Sequence, residues 1–157
     1  MADARFEDGA DRPLWLGAAD AQDLQVIASL IQDAVLTTAD ITWAKARREF
    51  ALLANRFRWE DREAAERARR PVERVRAILL LRDVLAVRAQ GIDPRDRDTV
   101  LSLLDISFAS GADGAGTVTL TFAGDGAIAI DVEALDVTLR DVTRPYAALS
   151  GRVPDHG

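Results

Sequence analysis

The residues best suited to chemistry stand together at Asn55-Arg56-Phe57-Arg58-Trp59-Glu60. Side chains alternate faces along an extended strand, so Arg56 and Arg58 are expected on one side and Asn55, Phe57 and Trp59 on the other. Two guanidiniums about 7 Å apart would form a bidentate clamp for a carboxylate or phosphate, with Phe57 and Trp59 anchoring the strand. The same residues fit a plainer account, in which the aromatics fill a core and the arginines pair with Glu60, Asp61 or Asp33. Structural pairing is the commoner reason for such charges. A second candidate is Gln32-Asp33, where the carboxylate could act as a general base or orient an amide. An aspartate late in a helix opposes the dipole and calls for a compensating cation, such as Arg56. The candidate ligand-binding set is therefore Arg56, Arg58, Asn55 and Asp33, with Asp33 or Glu60 as acid or base if the site is enzymatic.

Other chemistries are excluded by residue type. The chain has no cysteine, and its single histidine is His156. Disulfides, thiolate nucleophiles, thiolate zinc sites and multi-histidine metal sites are thereby ruled out within one chain. The glycine-containing segment 111–116 lacks the lysine and following helix of a phosphate-binding loop and reads as a hairpin connection. The spaced carboxylates Asp93, Asp96 and Asp98 are interrupted by Arg95 and Arg97 and lack the glycine and closing glutamate of a calcium loop. No nucleophile elbow is present. The expectation is no catalytic residue, no metal and no cofactor.

Charge is strongly segregated along the 157 residues. Residues 1–40 carry 2 basic against 8 acidic side chains, residues 41–97 carry 15 against 9, and residues 98–157 carry 3 against 9, for a net charge of −6. Nineteen of the 20 basic residues are arginine, Lys45 being the exception. The acids interleaved in the central basic island argue for a solvated, self-paired surface, so nucleic-acid binding is not expected. No apolar run is long enough to span a membrane. Met1 to Asp11 is acidic, without the basic start of a secretory signal, so a cytoplasmic protein without membrane contact is expected.

Periodicity supplies the elements that would position these residues. Pro13 introduces Leu14-Trp15-Leu16 as an edge strand. Asp20 reads as the N-cap of an amphipathic helix with Leu24, Ile27, Ala28, Ile31, Ala34 and Val35 on its apolar face. Ile41 and Trp43 form a hairpin with Phe50, Leu52 and Ala54, whose second strand runs through residues 55–59. Residues 60–71 offer nothing larger than alanine to pack and read as an exposed excursion ended by Pro71. Residues 72–90 read as two strands meeting at Arg82-Asp83, with a helix as the alternative. The last third is a meander in which Leu104, Ile106 and Phe108 share a face, followed by Val118, Leu120 and Phe122, then Ile128, Ile130 and Val132. A final helix is expected from Val132, Leu135, Leu139 and Val142.

This order predicts an α+β fold, with an antiparallel meander forming a roll or partly closed barrel similar to pleckstrin-homology-like domains. One helix follows the first strand and one C-terminal helix caps the sheet. The domain covers residues 13–144, with flexible tails at 1–12 and 145–157. Several segments carry a sequence-level resemblance: Asp20-Ala21-Gln22-Asp23-Leu24 running into Gln32-Asp33-Ala34-Val35, Phe50 to Phe57, Val84 to Val87 before Gly91-Ile92, and Gly126-Ala127-Ile128 to Asp131-Val132-Glu133. Their order and spacing over residues 14–142 resemble the alphaproteobacterial domain of unknown function 2948. That resemblance implies a bacterial cytosolic protein and no activity, cofactor or catalytic residue.

Three function classes follow. A non-enzymatic module would present a strand edge or groove to a protein partner. A small anionic-ligand site would use Arg56 and Arg58 and require a concave pocket beside them. Nucleic-acid binding would need the central arginines gathered on one face without their acids. The first is the expected function.

Overall fold

In the computed structural model, which describes residues 13–143 and the backbone of residues 146–147, strand β1 (Trp15–Ala18) leads into helix α1 (Ala21–Ile31). The Asp20 carboxylate accepts the Asp23 N–H at 2.8 Å, which satisfies one of the donors a helix start leaves open. Leu24, Ile27, Ala28 and Ile31 are buried at helical spacing. The helix stops earlier than the apolar pattern suggests. Gln32 takes an extended ψ of 135° and Asp33 a left-handed φ of 65°, and Val35 already belongs to the next strand. Asp33 is thus outside the helix, and its N–H donates to the Leu103 carbonyl at 2.7 Å.

Ten further strands follow: β2 (Val35–Thr37), β3 (Ile41–Ala44), β4 (Glu49–Phe57), β5 (Glu73–Leu81), β6 (Val84–Gln90), β7 (Val100–Ser110), β8 (Gly116–Phe122), β9 (Ala127–Val132), β10 (Val137–Asp141) and β11 (Tyr146–Ala147). A second short helix, α2 (Arg62–Arg67), lies between β4 and β5. Every pairing is antiparallel, in the order β1-β10-β5-β4-β2-β7-β8-β9-β6, with β3 on β4 and β11 on β5. The sheet is open, since β1 and β6 end the order without meeting. The short β2 hands the sheet from β4 to β7. Inward side chains of both halves share one core with α1, which packs against β7, β1 and β4.

The two strands expected within 72–90 are β5 and β6, and the bend at Arg82-Asp83 is made by Asp83 at φ 56°. The meander is β7-β8-β9, but its first strand changes phase. A bulge at Leu104 sets two residues against one on β8, so Leu103 and Ile106 are buried while Leu104 stays 38% exposed. Leu104 therefore does not share the face of Ile106.

The expected C-terminal capping helix is replaced by β10. Its residues alternate, with Val137, Leu139 and Asp141 inward and Thr138 and Arg140 less covered, a period-two pattern that pairing with β1 and β5 satisfies. Val132 and Leu135, which completed the helical spacing, belong to β9 and to the turn after it. Residues 60–71 also differ from expectation. Ala65 of α2 is fully buried with Phe57, Val72 and Trp59 in a second apolar cluster. Alanine suffices there because the aromatic rings supply the volume. The segments expected as tails, 1–12 and 145–157, lie outside the described residues, apart from the backbone of Tyr146–Ala147 paired with Glu73 and Arg74.

Gly116 illustrates how tightly the β7-β8 hairpin is packed. A Cβ there would fall 2.4 Å from the Ala109 carbonyl oxygen and 2.6 Å from Cε1 of Phe108, whereas one at Gly17 would meet nothing closer than 3.9 Å. Gly116→Ala should lower the melting temperature by about 3–10 °C, the range of a forced overpacking in a domain of this size. Gly17→Ala should change it little. Equal shifts for the two variants in thermal denaturation would refute this reading of the hairpin.

Candidate functional site

Strand parity decides what the arginine cluster can do. Phe50, Leu52 and Ala54 are buried on the core side of β4, and Arg56 continues that series, with 0% of its surface exposed. Asn55 and Phe57 occupy the other face. The aromatics thus fill the small cluster under α2, and it is a guanidinium that enters the main sheet's inner face.

All five N–H groups of Arg56 have acceptors. Nε donates to Asp141 Oδ1 at 2.9 Å and Nη2 to Asp141 Oδ2 at 3.0 Å. Nη1 and Nη2 each reach a Glu60 oxygen at 2.8 Å, and Nη1 also reaches the Phe57 carbonyl at 3.1 Å. Asp141 in turn accepts the Leu14 N–H at 2.9 Å. One guanidinium therefore joins β4, β10, the entry to β1 and the turn at residues 59–61. Burial alone would pull its pKa down, but the two carboxylates raise it well above the ordinary arginine value. For Glu60 burial acts upward, and the hydrogen bonds and charge of Arg56 outweigh it and hold the carboxyl below its usual range.

Arg58 is also buried and follows a different route. Its Nη1 lies 2.6 Å from Glu73 and 3.5 Å from Asp61, whose carboxylate is shared with Arg70 at 2.7 Å. Trp59 donates its indole N–H to the Gln32 carbonyl at 2.9 Å, which draws the end of α1 toward the cluster. Asp33, 6% exposed, and half-buried Asn55 complete the four residues singled out from the sequence. Glu60 and Asp61 are among the partners expected for the arginines; Asp141 was not among them.

The concave feature lies elsewhere. Ile41 and Trp43 of β3 face the same way as their partners Leu52 and Phe50, toward the core, and Val87 and Ala89 of β6 face the same way as Ile130 and Ile128. These inward residues border a cavity of about 370 Å³, completed by Ile92, Pro94, Arg97 and Thr38. Among the described residues β3 pairs only with β4 and β6 only with β9, so each strand keeps one edge without a ladder partner. The cavity is where the core opens between those edges.

The loop that completes the cavity is preformed. Gly91, at φ 71°, packs so closely on the 124–126 turn that a Cβ would lie 3.0 Å from the Asp125 carbonyl oxygen. Ile92 rests on Gly126. The Thr38 hydroxyl donates to the Asp96 carbonyl, and the Ala39 N–H donates to the Arg97 carbonyl at 3.1 Å. Asp93 accepts the Arg95 N–H at 2.9 Å, which holds its carboxyl below the usual range. Arg97 has no carboxylate partner among the described residues and stands exposed at the rim. Sequence periodicity did not reveal this cavity, because it arises from which strands fail to meet.

Arg56→Met should destabilise the fold by about 3–5 kcal/mol in urea denaturation, since it strands two carboxylates at a buried junction. Glu60 has a depressed folded pKa, so its contribution is complete above the unfolded value near 4.5 and is lost as pH falls from there through the folded one. Glu60→Gln should therefore flatten the loss of stability between about pH 5 and pH 3. An unchanged acid slope would show that Glu60 is not coupled to Arg56.

A family model described as a protein of unknown function (DUF2948) matches residues 14–156. No curated protein and no solved structure matches the chain. The match spans nearly the whole sequence, β1 through β11 included, and the chain belongs to the DUF2948 family of proteins of unknown function.

Proposed function

We propose that the protein is a non-enzymatic interaction module that accepts an extended, apolar segment of a partner protein in the opening between β3 and β6. The observation that carries this reading is the coincidence of two unpaired strand edges with an uncovered part of the core. Strand addition supplies main-chain hydrogen bonds, and alternate side chains of the added segment would enter the cavity beside Trp43, Ile41 and Val87. The lining among the described residues offers apolar anchors, one hydroxyl and one guanidinium, with no carboxylate or imidazole to serve as a base. A cytoplasmic location, with neither membrane nor nucleic acid as partner, belongs to the same proposal. It is supported by the net charge of −6 and by the many arginines already held by carboxylates. No helix among the described residues is long and apolar enough to cross a membrane.

A small anionic ligand held by Arg56 and Arg58 finds less support, because every Arg56 donor already has an internal acceptor. The form of that reading which the geometry favours is a small apolar acid in the cavity, its carboxylate at Arg97. A volume of about 370 Å³ falls within the range of ligand pockets.

Selection of binders from a random decapeptide library against the full chain tests the main reading. Enriched peptides should alternate apolar residues and lose about tenfold or more in affinity on Trp43→Arg, the effect expected of a central aromatic anchor. Peptides that bind the variant equally well would contradict it. Decanoate binding that is lost on Arg97→Gln, with no peptide enrichment, would favour the small-acid reading.

A further inference from the structure

The outward face of the sheet carries a second surface, separate from the cavity. Trp15 on β1, Arg140 on β10, Ile78 on β5 and Leu53 on β4 stand in one cross-strand row. Arg74 and Arg76 share the face of Ile78, four and two residues away on the same strand. Trp15 is 71% exposed and Val142, just beyond β10, is 42% exposed. The Arg140 guanidinium lies 6.0 Å from the centre of the Trp15 ring, and that of Arg74 lies 4.5 Å from the centre of Phe57.

Most arginines elsewhere among the described residues are paired with acids, Arg67, Arg69 and Arg97 excepted. Arg47, Arg48, Arg56, Arg58, Arg62, Arg70, Arg82, Arg88 and Arg95 each reach a carboxylate. Arg74, Arg76 and Arg140 reach none among the described residues, and the ring contacts of Arg74 and Arg140 leave their charge uncompensated. Asp40 shares a recess of about 90 Å³ with Arg76 and Asn55. Its Oδ2 is occupied by the Thr37 N–H at 2.9 Å and hydroxyl at 3.1 Å. On a chain of net charge −6, three guanidiniums with no carboxylate partner among the described residues, beside an exposed indole, form a local positive patch.

We propose that this face binds an acidic segment of a partner protein in extended form. Carboxylates two residues apart recur at about 7 Å, the spacing of Arg74 and Arg76 along β5, and an apolar side chain of the same segment would cover Trp15. Charge complementarity selects an acidic partner over a neutral one. A polynucleotide fits less well, because single-stranded binding relies on a continuous cationic groove and several stacking rings, whereas this face has one exposed indole and an aspartate among its cations.

The test is a fluorescence-anisotropy titration of the full chain with three labelled probes: an octapeptide of alternating Glu and Leu, its counterpart with Gln for Glu, and a twelve-nucleotide dT strand. The Glu peptide should bind at least about tenfold more tightly than the Gln peptide and should weaken about tenfold between 0.05 and 0.5 M salt. Arg76→Glu with Arg140→Glu should abolish that preference. Arg76→Gln with Arg140→Gln, which introduces no repulsion, should reduce it severalfold and serves if the first variant does not fold. Any binding of the alternating leucines in the cavity is common to the Glu and Gln peptides, so the preference between the two reads this surface separately from the cavity. Equal affinity for the Glu and Gln peptides, insensitivity to both arginine variants, or tighter binding of the dT strand would overturn the proposal.

Discussion

A guanidinium with no access to solvent holds the structure together at the place where four segments meet. Arg56 lies at an inward position of β4, and its charge must be answered within the fold because water cannot answer it. Asp141 does so from β10 and Glu60 from the turn beyond β4. The geometry demands that β10 be a strand in one register, since a shift by one residue would carry Asp141 to the outer face. A buried ion pair of this kind is weak evidence for net stability, as apolar replacements of equal volume often do as well. Its physical effect here is on specificity: it fixes how β1, β4 and β10 align and where the chain turns toward α2.

That commitment shapes what is left for binding. The residues most suggestive of ligand chemistry are consumed in architecture, and the reactive potential of the arginine cluster is satisfied internally. The sheet, in contrast, does not close. Loop 91–97 partly covers the gap between β3 and β6 and is fixed by Thr38, Ala39 and the 124–126 turn. An uncovered apolar opening flanked by free edges is a liability for a monomer, because unpaired strands recruit other strands. A bulge in β6 leaves Leu85 out of the ladder at 53% exposure and limits how far that edge can extend. The opening is therefore short and bounded, which suits one added segment better than indefinite stacking.

Much of the fold is legible from residue order alone. Asp20 and the spacing of Leu24, Ile27 and Ile31 announce α1, and the alternation in 116–132 announces β8 and β9. The misreadings share a cause. Val132, Leu135, Leu139 and Val142 fit a helical period by chance because a strand, a turn and another strand were summed into one window. The same segment read with period two places Asp141 inward, as Phe50, Leu52 and Ala54 place Arg56 inward. An inward carboxylate and an inward guanidinium on separate strands must find each other, so that partnership was within reach of the sequence. The cavity was not, since it depends on β3 and β6 each lacking a second neighbour among the described residues, a property of topology that no local pattern encodes.

The central claim, that the free edges of β3 and β6 flank an accessible opening while the Arg56 junction is closed, is tested most directly by hydrogen exchange of the full chain read at single-amide resolution. Amides of Ile41–Ala44 and Val84–Gln90 that lack ladder partners should exchange orders of magnitude faster than those of β5 and β8, and the amides around Arg56 should be among the slowest. Uniform protection across β3, β6 and β8 would show that the edges are already covered and would contradict the account.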